Sequence, residues 1–220
     1  MSLDAIVLAG GFGTRLQSVV KDLPKPMADI NGKPFLEYLF SSLKKSGVTR
    51  FIVSAGYKGE TIKDHFGNDF KGIPITYVEE KEALGTGGGI ALAIRQAKSE
   101  NVLVLNGDTF FDVHISALLK KHLEKKADAT LCLRKVKDAG RFGTVNMNSD
   151  GKIISFKEKD ESSTEGLING GIYVFRATIF EGRSLPEKFS IEKDFFEKTS
   201  GELNLYGFES SDYFIDIGIP

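Results

Sequence analysis

A single cysteine, Cys132, stands in 220 residues, so the chain has no internal disulfide. Cys132 lies in the strand-like run Ala129-Thr130-Leu131-Cys132-Leu133, where it reads as a small buried hydrophobe. No nearby histidine and no CxxC spacing supports a catalytic thiol. Net charge is also missing: 29 basic residues stand against 30 acidic ones. That balance removes the electrostatic case for nucleic acid or an anionic membrane as partner. No apolar run approaches a membrane span and no signal peptide opens the sequence, so a soluble, cytoplasmic protein is expected. The three histidines, His65, His114 and His122, share no metal-ligand spacing. Lys120-Lys121-His122 with Lys125-Lys126 reads as the solvated face of a helix. Internal repeats, low-complexity tracts and interdomain linkers are absent, and the length suits one domain, residues 1–220, with a sizeable core.

What the chain does have is glycine in a telling place. Ala5-Ile6-Val7-Leu8 reads as a buried strand. It runs into Ala9-Gly10-Gly11-Phe12-Gly13-Thr14-Arg15-Leu16, followed by Leu23-Pro24-Lys25-Pro26-Met27. Glycines let a backbone pass close to a bulky group, and successive N–H groups in such a turn form an anion-binding concavity. Arg15 adds a fork of donors matched to phosphate oxygens, and flanking prolines restrict the backbone around Lys25. A P-loop would need Lys-Ser or Lys-Thr after the glycines, and none follows. A dinucleotide fingerprint would need a third glycine where Leu16 stands. The glycines alone fit an ordinary strand-to-helix turn equally well; with Arg15 and Lys25 they point to a polyphosphate site.

Strand-like and helical runs alternate through the first half: strand 5–9, helix 34–46, strand 51–55, strand 73–78, helix 87–98 and strand 101–105. Phe35, Leu36, Leu39, Phe40 and Leu43 fall on one face of the first helix, and Gly47 suits its left-handed C′ position. The pattern predicts an α/β fold with a doubly wound, mostly parallel central sheet, whose ligands collect at the carboxyl ends of the strands. The second half predicts a hairpin, 145–148 and 152–156 around Asp150-Gly151, and strands at 167–175, 203–209 and 213–217. These read as a smaller, more antiparallel part.

Gly107-Asp108 places a carboxylate at the sheet's carboxyl end, and Asp216 closes the hydrophobic run Tyr213-Phe214-Ile215. Magnesium takes hard oxygen ligands, often one or two carboxylates with substrate phosphates; a helix cap or a turn former is the plainer role for either aspartate. Asp112 is expected to cap a helix beginning near Ile115. Glu82-Ala83-Leu84-Gly85-Thr86-Gly87-Gly88-Gly89 opens another helix, able to cradle an anion or to serve as a flexible entry.

Taken together these segments resemble the sugar-1-phosphate nucleotidyltransferase family. The likeness is carried by 8–27, Leu84-Gly85-Thr86-Gly87-Gly88, Asn106-Gly107-Asp108-Thr109, Phe156-Lys157-Glu158-Lys159, Asn169-Gly170-Gly171-Ile172-Tyr173 and Asp216-Ile217-Gly218. Within the family it is greatest to the enzymes that act on GTP and D-glycero-D-manno-heptose 1-phosphate. Mannose 1-phosphate with GTP, or a hexose 1-phosphate with UTP or dTTP, is the alternative, and an inactive nucleotide-sugar-binding module is a further one. The resemblance implies a Rossmann-like, GT-A-like fold with a nucleotide-binding half (about 1–115) and a sugar-phosphate-binding half (about 116–220). It implies catalytic roles for Arg15 and Lys25, and nucleotide contacts from Leu8, Gly10, Gly11, Gly13, Thr14, Glu82, Gly85, Thr86 and Gly107. Glycines of the 85–89 loop would press against the base, with Glu80 or Glu82 accepting from a guanine edge. Gly143, Glu158, Lys159, Asn169 and Gly170 would hold the sugar phosphate, and Asp108 and Asp216 a Mg²⁺. Small-molecule substrates are the implied partners, and a homo-oligomer is left open. Such enzymes usually continue into a short C-terminal helix, so a piece of a longer chain and a whole one are both open.

Overall fold

The computed structural model describes residues 2–10, 23–56, 58–137, 139, 143–157 and 165–217. Its central strand, β1 (Asp4–Leu8), is apolar and buried from Ala5 to Val7, as a parallel strand covered on both faces requires. Successive side chains point to opposite faces: Ala5 and Val7 join one core and Ile6 the other. A short hairpin, β2 (Asp29–Ile30) and β3 (Lys33–Pro34), leads into α1 (Phe35–Lys45). This helix buries Phe35, Leu36, Leu39, Phe40 and Leu43, the face the spacing predicts. Gly47 follows at φ 89°, the left-handed conformation expected there.

Next come β4 (Arg50–Ala55), α2 (Gly59–Phe66), β5 (Asp69–Phe70), β6 (Ile73–Glu79), α3 (Gly85–Ile94) and β7 (Asn101–Asn106). Strands β6, β4, β1 and β7 lie side by side and parallel. Helices α1 and α2 pack on one face, where Phe40 stacks on Phe51 with centroids 4.2 Å apart, and α3 packs on the other. This is the doubly wound sheet that alternating strand and helix imply. Helix α3 stops at Ile94, short of the predicted Lys98. Its end is set from outside: the buried carboxylate of Asp4 accepts from the N–H groups of Lys98 and Ser99 at 2.6 and 3.1 Å, drawing both out of helical geometry. Burial alone would raise the Asp4 carboxyl, but Arg50 and those two N–H groups outweigh it and hold it low.

The second half extends the same sheet. It contributes β8 (Thr109–Phe111), α4 (Ile115–Glu124), β9 (Ala129–Val136), the hairpin β10 (Thr144–Met147) and β11 (Ile153–Lys157), β12 (Gly166–Arg176), β13 (Leu205–Glu209) and β14 (Phe214–Asp216). Strand β12 is the joint. Residues 172–176 run antiparallel to β7, Ile168 pairs with β10, and β9 lines the opposite edge. The antiparallel part is therefore continuous with the parallel one, with β10–β11 at its margin and a separate β8–β14 pair. Among the described residues no helix is long and apolar enough to cross a membrane.

Helix α4 departs from the sequence reading at His122. The ring is 1% exposed, on the inner face with Ile115 and Leu118, and its nitrogens bond Thr130 Oγ1 and Asn101 Oδ1, both at 3.0 Å. The lysines around it hide this position, because a lone histidine at helical spacing carries no polarity signal of its own. Burial, and then the charge of Arg176, push His122 down to about 4 from an ordinary 6.5, with Asp128 pulling the other way. The unfolded chain binds the extra proton between those values, so stability falls as pH drops through that window. The unfolding free energy from urea titration should fall by on the order of 2 kcal/mol between about pH 7.5 and about pH 5. His122→Gln should flatten that slope; an equally steep slope in the variant would place the acid sensitivity elsewhere.

Candidate active site

The parallel strands end together, and the segments leaving them meet at one place. After β1, the Ala9 N–H donates to the Ser54 carbonyl at 2.7 Å; after β6, the Glu80 N–H donates to the Ala55 carbonyl at 2.9 Å; after β7, the Gly107 N–H donates to the Leu8 carbonyl at 2.8 Å. These crossings leave no room for side chains. A Cβ on Gly10 would lie 2.6 Å from Glu80 Oε1, and one on Gly107 would lie 2.7 Å from the Leu8 oxygen. Between them opens a cavity of about 360 Å³ whose walls include Gly10, Lys25, Glu80, Thr86, Asn106 and Asp108. Leu8 and Gly85 also line it.

Lys25 reaches this cavity from a tight 3₁₀ turn, Lys25–Met27, held by buried Pro26 and Met27. Its Nζ lies 3.6 Å from Asp108 Oδ2. Asp216 arrives from the far end of the chain. Pairing of β14 with β8 sets Asp216 opposite Thr109, and the Ile217 N–H donates to the Asp108 carbonyl at 3.0 Å. Burial first and the Asp216 carboxylate second push the Asp108 carboxyl up, against the pull of Lys25. Lys25 and Asp108 thus line the cavity, and the Asp216 carboxylate lies close enough to act on Asp108. Among the described residues no group of three or more His, Cys, Asp or Glu side chains is placed to hold a metal.

The loop before α3 arranges itself differently from the sequence expectation. Glu80 lines the cavity and accepts from Ser54 Oγ at 2.8 Å, whereas Glu82 lies in a separate groove with Arg95 and Arg183. Gly85 and Thr86 border the cavity, but Gly87, Gly88 and Gly89 face protein. Their Cβ atoms would meet the Phe189 ring at 2.2 Å, the Glu187 carbonyl at 2.4 Å and Glu80 Oε1 at 2.9 Å. These three glycines admit the segment 187–189 and the Glu80 side chain, not a ligand. A buried serine at the end of the apolar run Phe51-Ile52-Val53-Ser54 was the available signal for Glu80's partner.

Asn169 and Gly170 lie within β12, not in a turn. The pairing of β12 with β9 shifts register between Asn169 and Tyr173, a bulge with Gly171 at φ 72°. A Cβ on Gly171 would lie 2.6 Å from Asn106 Nδ2 and one on Gly170 2.7 Å from the Phe111 ring, so the bulge sits against the end of β7 beside the cavity. Gly143 is exposed just before β10. Gly11, Gly13, Thr14, Arg15, Glu158 and Lys159 lie outside the described residues. Asp112 does not cap α4: His114 holds the N-cap position and makes no side-chain cap bond. Burial pushes the Cys132 thiol up to about 12, which leaves it unreactive.

Gly88→Ala tests the glycine packing. Helix propensity alone would favour alanine by up to about 1 kcal/mol. A methyl against the Glu187 backbone should instead destabilise the protein by ~1–3 kcal/mol. A urea midpoint at or above wild type would show that the 187–189 segment yields.

Comparison with known proteins comes to the same place. The nucleotidyl transferase family matches residues 4–220. The D-glycero-alpha-D-manno-heptose 1-phosphate guanylyltransferase of Aneurinibacillus thermoaerophilus is 51% identical over 99% of this chain and 94% of its own length. Its counterpart in Campylobacter jejuni subsp. jejuni is 48% identical over 99% of this chain and 96% of its own length. The crystal structure of HddC from Yersinia pseudotuberculosis complexed with GMP-PN superposes with a TM-score of 0.83 at 36% identity, covering 99% of this chain and 94% of that one.

Proposed function

The chain belongs to the nucleotidyl transferase family, and on that premise we propose that it transfers the nucleotidyl group of a nucleoside triphosphate to a sugar 1-phosphate, releasing pyrophosphate. The names of its relatives support GTP as donor and D-glycero-D-manno-heptose 1-phosphate as acceptor, as does the GMP-PN carried by HddC. The observation that carries the reading is the meeting of Lys25, Asp108 and Asp216 at the carboxyl ends of β1 and β7.

The acceptor's phosphate oxygen is already an anion near neutral pH, so attack on the α-phosphorus needs no general base. A site with a lysine and carboxylates, and with no serine–histidine pair among the described residues, suits such a reaction. Catalysis rests on positioning and charge stabilisation. Lys25 neutralises the α-phosphate and the incoming phosphate, which otherwise repel. Arg15, with the backbone of Gly11 and Gly13, holds the β- and γ-phosphates as charge builds on the leaving pyrophosphate. Leu8, Gly10, Gly85, Thr86 and Gly107 shape the nucleotide cavity, Thr14 contacts the nucleotide, and Glu80, which lines the cavity, accepts from a guanine edge. Lys159 anchors the sugar phosphate, while Gly143, Glu158, Asn169 and Gly170 take the sugar.

The Asp108–Asp216 pair fits a hard divalent cation, because the neighbouring Asp216 carboxylate raises the proton affinity of Asp108 and a bound cation would offset it. These two residues would hold Mg²⁺, which when bound supplies charge neutralisation to phosphate oxygens.

Pyrophosphate release with Mg²⁺ should be seen with GTP and the heptose 1-phosphate, and not with ATP, UTP, CTP or dTTP. Another productive pair would keep the reaction and change its substrates; silence across the matrix would reject it. Lys25→Ala should lose on the order of 10²–10³ in kcat, and wild-type turnover would remove Lys25 from the mechanism. Asp108→Asn should abolish most metal-dependent turnover. A magnesium titration superimposable on wild type would move the cation elsewhere.

A further inference from the structure

One segment, 189–192, touches both halves of the site. The Phe189 N–H donates to the Leu84 carbonyl at 3.0 Å, and the Phe189 carbonyl accepts from the Gly87 N–H at 3.0 Å. The Ile191 N–H donates to Thr86 Oγ1, again at 3.0 Å. The next residue, Glu192, turns the other way and accepts from Asn169 Nδ2 at 2.5 Å. Ile191–Phe196 is a π-helical turn, a rare geometry frequent at functional sites.

The bonds to Asn169 fix which way its amide faces. Oδ1 accepts from the Gly171 N–H at 3.0 Å, while Nδ2 donates to both Glu192 and Tyr173 Oη, the latter at 2.7 Å. An amide nitrogen has only these hydrogens to give. The one open valence is therefore the second lone pair of Oδ1. Asn169 can accept a hydrogen bond from a sugar hydroxyl and cannot donate one.

We propose that Glu192 is a positioning residue for the acceptor sugar: its carboxylate locks the Asn169 amide with Oδ1 presented to a sugar hydroxyl. The proposal rests on the nucleotidyltransferase reading above. Because the same segment is bonded to Leu84, Thr86 and Gly87, the lock also fixes the sugar subsite relative to the nucleotide loop. A carboxylate acceptor makes the stronger, charge-assisted form of this bond. Without it the amide is held only by Gly171 and Tyr173, and one Nδ2 hydrogen is left to offer the sugar a donor as well as an acceptor.

The test is steady-state kinetics with GTP and heptose 1-phosphate on wild type, Glu192→Ala, Glu192→Gln, Asn169→Ala and the double variant Glu192→Ala/Asn169→Ala. Glu192→Ala should raise KM for the sugar phosphate about tenfold, the effect of losing one charged hydrogen bond, with KM for GTP unchanged. Glu192→Gln keeps an oxygen acceptor and should recover most of the loss. The double variant should be no worse than Asn169→Ala alone, since Glu192 acts through Asn169. Additive losses would give Glu192 a direct contact of its own and overturn the positioning role. An unchanged sugar KM in Glu192→Ala, or equal rises in both KM values, would overturn it too. Wild type inert with every pair of substrates would instead sink the underlying reaction, and this inference with it.

Discussion

The backbone ladder between β7 and β12 is the contact on which the rest of this molecule depends. It adds an antiparallel strand to a parallel sheet, and so carries the second half of the chain to the edge where β1 and β7 end. Because β12 runs opposite to β7, its bulge at Gly170-Gly171 falls beyond β7's last residue, Asn106, beside the cavity. The ladder thereby sets a surface from the second half of the chain beside the cavity at the ends of β1 and β7. Strand β9 then seals the opposite edge of β12, and β13 seals β9.

The electrostatics of the site derive from that arrangement. Lys25 alone beside Asp108 would form a satisfied pair. Asp216 adds a second carboxylate, and together with burial it pushes the Asp108 carboxyl up against the pull of Lys25. In the reaction proposed above, a cation on these carboxylates and the substrate phosphates would each offset the charge that the other brings. Burial keeps Cys132 a thiol and His122 neutral near pH 7, so neither adds charge to the fold.

Features decided by nearby residues were legible in the sequence. The apolar face of α1, its C-terminal glycine, the central strand β1 and the Asp150-Gly151 hairpin all arise from local spacing. Lys25 and Asp108 stood out in their own local segments, whereas the joining of Asp108 to Asp216 came from the family resemblance, because pattern alone left each aspartate open to a plainer role. What was not legible depends on distant partners. Asp4 ends α3 by capturing N–H groups across the sheet. Gly87 and Gly88 are small because a segment about a hundred residues away packs on them. Glu80 rather than Glu82 faces the cavity because Ser54, on a neighbouring strand, takes its oxygen. Glu192 had no local signal at all, since its partner Asn169 lies on another element. The bulge that holds Asn169 is read from strand register, which no pair of adjacent residues specifies.

The pairing of β8 with β14 also has a bearing on how the protein comes to life. Asp108 lies near the middle of the chain and Asp216 near its last described residues, so the carboxylate pair is among the most sequence-distant contacts in the fold. Closing so long a loop has an entropic cost that must be met before the contact returns anything, and such contacts form late. On a ribosome the parallel core from β1 to β7 is complete while β14 has yet to be made. A nascent or half-folded chain can therefore build the core from β1 to β7 yet hold only one of the paired carboxylates, so the pair is assembled only when β14 is in place.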